Sequence, residues 1–203
     1  MEFVSIFANE NNIFPYAEIY ASKYQLPVSL IMGIIAQESG FNQYASRYES
    51  SINDTSYGLM QILYTTAHDI GFNQQPENLF DIDTNLNFGC KFLSSKYKKY
   101  NKNLYDTISA YNGGSTKKLS NGTYKNQDYI NKVLSYYLFY NAKFVELNEL
   151  KSNNLKNMIL NKQFTNIVNL NFGKISEKNT KDNILPIILI ALPIIIKLYK
   201  KVF

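Results

Sequence analysis

The chain of 203 residues contains no tryptophan, one cysteine and one histidine. Cys90 has no partner for an internal disulfide, and we interpret it as a buried, inert thiol. His68 alone cannot build a usual zinc site or a Ser-His triad. No glycine-rich phosphate-binding loop occurs in the sequence. The sequence therefore predicts a protein that uses no metal and no cofactor.

Net positive charge is missing from the first part of the chain. Residues 1–142 carry 11 Lys or Arg and 12 Asp or Glu, a net charge of −1. Residues 143–203 carry 10 Lys and 4 acidic residues, a net charge of +6. The first part is therefore not a basic nucleic-acid binder, and we expect no nucleic-acid partner. The basic tail suits anionic lipids or acidic polymers, through a salt-sensitive attraction.

Alternation typical of strands is also scarce, and apolar residues repeat mainly at helical spacing. The sequence predicts a mainly α domain with room for a small hairpin in the loop 47–57. The predicted helices cover residues 15–25, 28–39, 65–70, 84–100, 104–111 and 127–142.

The most informative residue is Glu38, a carboxylate at the end of an apolar helical run. Pro27 suits the first turn of this helix, and Gly40 suits the position after its last turn. Glu38 continues the face that is formed by Leu30, Ile31, Ile34 and Ile35. Desolvation on that face favours a neutral carboxyl, as a general acid near neutral pH requires. The alternative is a helix-terminal Glu that turns outward to water.

Three segments follow Glu38 and Ser39 in order. They are YGLMQI (57–62), AYNGG (110–114) and DYI (128–130). In this order and spacing, residues 15–140 resemble the soluble lytic transglycosylase family, relatives of goose-type lysozyme. The resemblance implies a lysozyme-like fold, with a groove between the Glu38 helix and the later helices.

The resemblance also implies a chemistry, cleavage of the β-1,4 bond between N-acetylmuramic acid and N-acetylglucosamine in peptidoglycan glycan strands. Glu38 would act first as general acid and then as base, and the product would carry a 1,6-anhydro end. A second carboxylate would instead make the enzyme a hydrolysing muramidase of the goose type. Glu49 and Asp54 are the candidates, and the alternative for both is a solvated loop charge.

The residues that the resemblance places at the substrate are Ser39, Arg47, Gly58, Met60, Gln61, Leu63, Tyr111, Asn112 and Tyr129. Gln61 and Asn112 can hydrogen-bond the acetamido groups of the sugars. The hydroxyls of Tyr111 and Tyr129 can orient the Glu38 carboxyl, although any one tyrosine is more commonly a packing residue.

The remaining residues of this set have more than one interpretation. Gly58 allows a positive φ or a close approach of the backbone to a sugar. Met60 contacts substrate or packs in the core. Leu63 stands where the family often has Met, and it keeps the pocket apolar. Arg47 contacts substrate or forms a surface ion pair with Glu49.

The sequence divides into three parts, a lysozyme-like domain (1–145), an Asn- and Lys-rich basic linker (146–183) and a hydrophobic tail (184–203). The linker has one candidate amphipathic helix, 147–160. The tail contains 13 consecutive apolar residues, 184–196, fewer than the roughly 20 that span a bilayer. Three interpretations stay open: a short membrane anchor that contacts lipid, an element packed on another protein, or a segment folded onto the domain.

The first residues of the chain lack a basic start and a long apolar core, so no signal peptide is evident. We therefore expect a bacteriophage setting, in the virion, on an internal virion membrane, or at the host envelope during entry or lysis. Two other classes of function compete with catalysis: a peptidoglycan binder without turnover, and a structural membrane component.

Overall fold

The computed structural model describes the backbone of residues 2–172 and the side chains of residues 10–159 and 162. Most of the described chain is helical. The helices are α1 (Glu2–Tyr24), α2 (Val28–Ser39), α3 (Tyr64–Asp69), a 3₁₀ helix (Pro76–Phe80), α4 (Ile82–Lys99), α5 (Leu104–Gly113) and α6 (Gln127–Phe172). The strands are β1 (Ser46–Glu49), β2 (Asp54–Tyr57) and β3 (Ile62–Leu63).

Helix α2 has the bounds that the sequence predicts, and it lies in the centre of the core. Leu30, Ile31, Ile34 and Ile35 are all fully buried. The helix ends at Gly40, whose left-handed conformation (φ 56°) costs little without a side chain. Glu38 therefore lies one turn beyond the buried apolar residues, at the rim of the core.

The predicted hairpin is present, with a third strand that the sequence did not predict. The three strands form one antiparallel sheet in the order β1-β2-β3, with Arg47 opposite Ser56 and Glu49 opposite Asp54. Because β3 has only two residues, it offers too little alternation to be recognised in the sequence.

Helix α4 packs against α1 and carries the second half of the core. The hydroxyls of Tyr20 and Tyr24 on α1 donate to Asp83 (2.8 Å) and Asn87 (2.7 Å) on α4. Cys90, also on α4, is buried in the core as a free thiol, as predicted.

Two helix predictions need correction. The first helix begins at Glu2 rather than at residue 15, so Pro15 lies inside it and interrupts one backbone hydrogen bond. The last helix does not end at residue 142 but continues to Phe172. The helix within the predicted linker is therefore longer than the candidate helix 147–160.

The chain divides into two units, residues 1–147 and 148–203. All elements from α1 to α5 lie in the first unit. Within the described part of the chain, no helix is long and apolar enough to cross a membrane. The hydrophobic tail, 184–203, lies outside the described residues.

Candidate active site

A groove of about 300 Å³ lies in the first unit, beside the end of α2 and the sheet. Its walls come from five places in the sequence: α2, the sheet with its turns, α3, α4, and the end of α5. The lining residues are Glu38, Arg47, Glu49, Ile52, Ser56, Gln61, Ile62, Leu63, Thr66, Phe92, Tyr111, Asn112 and Gly114.

Glu38 is half-buried in this wall and does not turn outward to water. The hydroxyl of Tyr129 on α6 donates a hydrogen bond of 2.6 Å to its Oε1. Burial raises the pKa of the Glu38 carboxyl above its ordinary value, and the nearby charge of Glu49 adds to this effect. The Tyr129 hydrogen bond and the charge of Arg47 act in the opposite direction but do not cancel it. The carboxyl thus holds its proton more tightly than an ordinary glutamate does, at a position that lines the groove.

The two tyrosines have different partners. Tyr111 is buried, and its hydroxyl donates to the carbonyl oxygen of Met60 (2.7 Å). Since a phenol has one proton to donate, Tyr111 donates none to Glu38. Of the two predicted partners, Tyr129 alone hydrogen-bonds the carboxyl, and Tyr111 forms part of the wall.

The Gln61 side chain is held within the protein. Its Nε2 donates to the carbonyl oxygens of Ala45 and Gly58 (both 2.9 Å), and its Oε1 accepts from Ser56 (2.9 Å). Both donor hydrogens are therefore in use, and only acceptor capacity remains for a ligand. These bonds also hold Gln61 at a positive φ of 45°.

Ser39, Gly58 and Met60 are part of the structure behind the groove and are not among its lining residues. The Ser39 hydroxyl donates to the carbonyl oxygen of Leu59 (2.8 Å). Gly58 has a φ of 73°, and its close neighbour is the side chain of Asn85. Met60 is fully buried, with its sulfur 3.7 Å from the Cys90 thiol. The packing interpretation of Met60 therefore agrees with the structure.

The two candidate second carboxylates have different positions. Asp54 is 7% exposed, accepts hydrogen bonds from Thr65 and Thr55, and is not among the lining residues. It is thus neither a solvated loop charge nor a group that faces Glu38. Glu49 lines the groove and pairs with Arg47 at 2.5 Å.

Leu63 and Asn112 both line the groove. The Asn112 Oδ1 accepts a hydrogen bond from Asn126 Nδ2 (2.9 Å). This contact leaves the two amide hydrogens of the Asn112 side chain available for an acceptor in the groove. Within the described residues, no group of three His, Cys, Asp or Glu side chains could hold a metal ion.

A protein-family model, the transglycosylase SLT domain, matches residues 15–134, more than half of the chain. The chain belongs to this family. Its relatives include membrane-bound lytic murein transglycosylase C of Actinobacillus pleuropneumoniae serotype 5b (strain L20). The two are 33% identical over 133 residues, which cover 59% of this chain and 35% of the relative. The protein of the same name from Glaesserella parasuis serovar 5 (strain SH0165) is 35% identical over 115 residues, 50% of this chain and 30% of the relative.

Solved structures share the fold of this SLT domain. The complex of the 70-kDa soluble lytic transglycosylase with bulgecin A has a TM-score of 0.51 at 25% identity, and covers 66% of this chain and 24% of that chain. An inactive mutant of lytic transglycosylase Slt from Pseudomonas aeruginosa has a TM-score of 0.52 at 24% identity, over 64% and 24% of the two chains. The predicted lysozyme-like fold is confirmed. The chain spans about a third of the length of the curated relatives it matches.

Several residues of the SLT domain groove were missed in the sequence, among them Ser56, Thr66 and Phe92. Asn85, behind the groove, was also missed, although it has a recognisable signal. It is a polar residue on the face of α4 that carries Leu86 and Cys90, and all three are fully buried. A polar side chain on a buried face needs partners, so the pattern alone indicates a specific hydrogen-bonding role.

Proposed function

We propose that this SLT domain is a lytic transglycosylase that cleaves the β-1,4 bond between N-acetylmuramic acid and N-acetylglucosamine in peptidoglycan. The observation that carries the proposal is the Glu38 carboxyl in the groove wall, with its pKa raised by burial and its Oε1 bonded by Tyr129. A carboxyl in this state can donate a proton near neutral pH. The relatives' names, lytic murein transglycosylases, support the same reaction.

The proposed reaction needs one protein carboxyl. Glu38 gives its proton to the glycosidic oxygen as the bond from that oxygen to C1 of the muramic sugar breaks. The resulting carboxylate then takes the proton of the C6 hydroxyl, and the C6 oxygen bonds to C1. Glu38 is protonated again at the end, no water is consumed, and the product carries a 1,6-anhydro ring.

Tyr129 has two effects on this cycle. Its hydrogen bond to Oε1 fixes the orientation of the Glu38 carboxyl group. The position of Oε2 is thereby fixed as well. The bond also stabilises the carboxylate that forms after the first proton transfer. The Glu38 pKa therefore stays below the value that burial alone would give, which keeps the second step accessible.

Hydrolysis is the competing reaction, because Glu49 lines the same groove. A carboxylate opposite the general acid can activate a water molecule, and the product would then carry a reducing end. Glu49 also pairs with Arg47 in the wall of this groove. Asp54 is not a candidate for this role, because its carboxylate is occupied by Thr65 and Thr55.

Mass spectrometry of fragments released from purified sacculi tests both reactions. We expect 1,6-anhydro ends from the wild type and from Glu49→Gln, and about a thousandfold less product from Glu38→Gln, since general acid–base catalysis contributes roughly 10²–10⁴-fold. Reducing ends from the wild type, lost in Glu49→Gln, would assign hydrolysis instead. Equal release of fragments by the wild type and Glu38→Gln would end the assignment of Glu38 as the catalytic acid.

We also propose that residues 184–203 associate with lipid. The support is the apolar run 184–196 with Lys197, Lys200 and Lys201 at its end, which suits an anionic membrane surface. The relatives are named membrane-bound lytic murein transglycosylases, which agrees with an envelope location. The bacteriophage setting remains a prediction from the sequence alone.

A further inference from the structure

The segment 57–60 has an unusual backbone environment. Four consecutive carbonyl oxygens in it each accept a hydrogen bond from a side chain. Tyr57 O accepts from Asn85 (2.8 Å), Gly58 O from Gln61 (2.9 Å), Leu59 O from Ser39 (2.8 Å) and Met60 O from Tyr111 (2.7 Å). Side chains from α2, α4 and α5 therefore fix the shape of this turn. In a regular helix or sheet, backbone hydrogen bonds would do so.

The Asn85 side chain makes three hydrogen bonds, two to this turn and one to the 3₁₀ helix. Its Oδ1 accepts from the Met60 N–H (2.8 Å), and its Nδ2 donates to Tyr57 O and to Leu79 O (2.7 Å). Its side chain is fully buried, so water cannot replace any of the three. Removal of the amide would leave one donor and two acceptors unsatisfied in the core.

Gly58 provides the space that Asn85 occupies. A Cβ at Gly58 would lie 2.2 Å from Asn85 Nδ2 and 2.4 Å from Leu79 O. These distances are far below van der Waals contact, so only glycine fits beside the amide. The group that closely approaches the Gly58 backbone is thus the Asn85 side chain of the protein itself.

The turn connects Asn85 to the groove. Gln61 directly follows the turn and lines the groove, and Tyr111, bound to Met60 O, lines it as well. The Ser39 hydroxyl, bound to Leu59 O, lies one residue after Glu38. A shift of the turn would therefore move groove residues on both sides of the carboxyl.

We propose that Asn85 is a positioning residue for the reaction at Glu38: it holds the turn 57–60 against α4 and thereby sets the groove walls at Gln61 and Tyr111. The inference rests on the proposed function of this groove. Asn85 touches no substrate in this role and acts only through the turn.

The test variant is Asn85→Asp, which keeps the acceptor for Met60 N–H but has at most one proton for two carbonyl oxygens. Its matched control is Asn87→Asp on the same helix. The Asn87 Oδ1 accepts hydrogen bonds from Lys23 and Tyr24, and an aspartate oxygen can accept both. A second control, Ile13→Ala, is a core truncation on α1 that lowers stability without touching the turn.

Two measurements are made on folded protein, below all unfolding midpoints. Turnover of soluble, uncrosslinked glycan strands should fall about 10- to 100-fold in Asn85→Asp with little change in KM, because a small misplacement of reacting groups has this effect. Amide exchange of the peptide 57–61 should become about tenfold faster, as the loss of one buried hydrogen bond predicts. Both controls should stay near the wild type in turnover and in exchange of that peptide.

Turnover of Asn85→Asp equal to that of Ile13→Ala at similar stability would overturn the proposal, and so would unchanged exchange at 57–61. If Asn85→Asp does not fold, the same two measurements are made on Asn85→Ser, which is neutral and smaller and has one hydroxyl proton for the two carbonyl oxygens. A wild type that releases no fragments contradicts the proposed function instead. In that case the exchange measurement still decides whether Asn85 holds the turn.

Discussion

At the scale of single residues, the protonation state of Glu38 has a consequence for stability. Burial raises the pKa of Glu38 in the folded protein above the ordinary value of 4.5. The folded state therefore binds this proton more tightly than the unfolded state, and stability is lost as pH rises through the folded-state pKa. We expect Glu38→Gln, which is neutral at every pH, to be more stable than the wild type at about pH 7.

Thermal unfolding at several pH values checks this expectation. The difference in midpoint between Glu38→Gln and the wild type should shrink as pH falls and vanish below about pH 4, where the carboxyl is protonated in both states. Asp69→Asn is a suitable control because Asp69 is exposed. A midpoint for Glu38→Gln that does not exceed that of the wild type at neutral pH would contradict a desolvated carboxyl.

The same carboxyl predicts the pH dependence of activity. A general acid must be protonated, so turnover falls at the alkaline side as pH passes its pKa. The Tyr129 hydrogen bond lowers this pKa, so Tyr129→Phe should shift the alkaline limb to higher pH. The charge of Glu49 raises the pKa, so Glu49→Gln should shift the limb to lower pH.

Initial rates of fragment release across the pH range measure both shifts. The two variants serve as controls for each other, since both remove one polar contact from the same groove. Shifts of the same sign, or a limb that is unmoved in both, would show that Glu38 is not the group that titrates.

The residue patterns predict positions better than they predict partners. Glu38 could be placed at the groove because it continues the stripe of Ile34 and Ile35, and helical spacing is a local property. Tyr111 and Tyr129 look equivalent in the sequence, but their hydroxyl partners depend on how α5 and α6 pack. Gln61 lines the groove, but both of its donor hydrogens bond carbonyl oxygens of the protein, one of them in Ala45, 16 residues earlier. No local pattern reports such contacts.

At the scale of elements, the sheet and α3 are joined by a buried carboxylate. Asp54 at the start of β2 accepts from the backbone N–H of Thr65 (3.3 Å) and from its hydroxyl (2.5 Å) in the first turn of α3. A carboxylate at a helix N-terminus satisfies free N–H groups and interacts well with the helix dipole. It thus fixes the angle between the strand and the helix.

We expect Asp54→Ala to lower the free energy of unfolding by about 1–3 kcal/mol, because two donors of Thr65 lose their acceptor. Chemical denaturation measures the change. Asp69→Ala, an exposed carboxylate on the same helix, should change it by less than about 0.5 kcal/mol. Similar losses in both variants would mean that Asp54 is an ordinary surface charge.

Element boundaries were predictable where a residue type stops the helix. Gly40 ends α2 at the predicted place because it adopts the left-handed conformation. After residue 142 no glycine or proline interrupts the chain before Gly173, and α6 runs to Phe172. The Asn and Lys content of this stretch suggested a linker, yet neither residue stops a helix as proline does. The absence of a stop signal was the more informative feature.

At the scale of the whole molecule, the net positive charge and the longest apolar run lie in a different part of the sequence from the groove. The groove lies within residues 38–114, whereas the net positive charge belongs to residues 143–203. The division into domain, linker and tail (1–145, 146–183 and 184–203) remains a prediction. If it holds, lipid association and turnover are separable, since each depends on a different part of the chain.

Comparison of the full chain with a chain that ends at residue 183 tests this separation. We expect the full chain to float with anionic vesicles and the shorter one to float much less, because 184–196 supplies the apolar contact. Both should release fragments from soluble glycan strands at the same rate.

A third variant, with Lys197, Lys200 and Lys201 replaced by Gln, keeps the apolar run and removes the charge beside it. It should float less with anionic vesicles and like the full chain with neutral ones, and its binding should depend less on salt. Equal flotation of the full and shortened chains would assign the lipid contact elsewhere, and loss of turnover on shortening would show that the tail supports the groove.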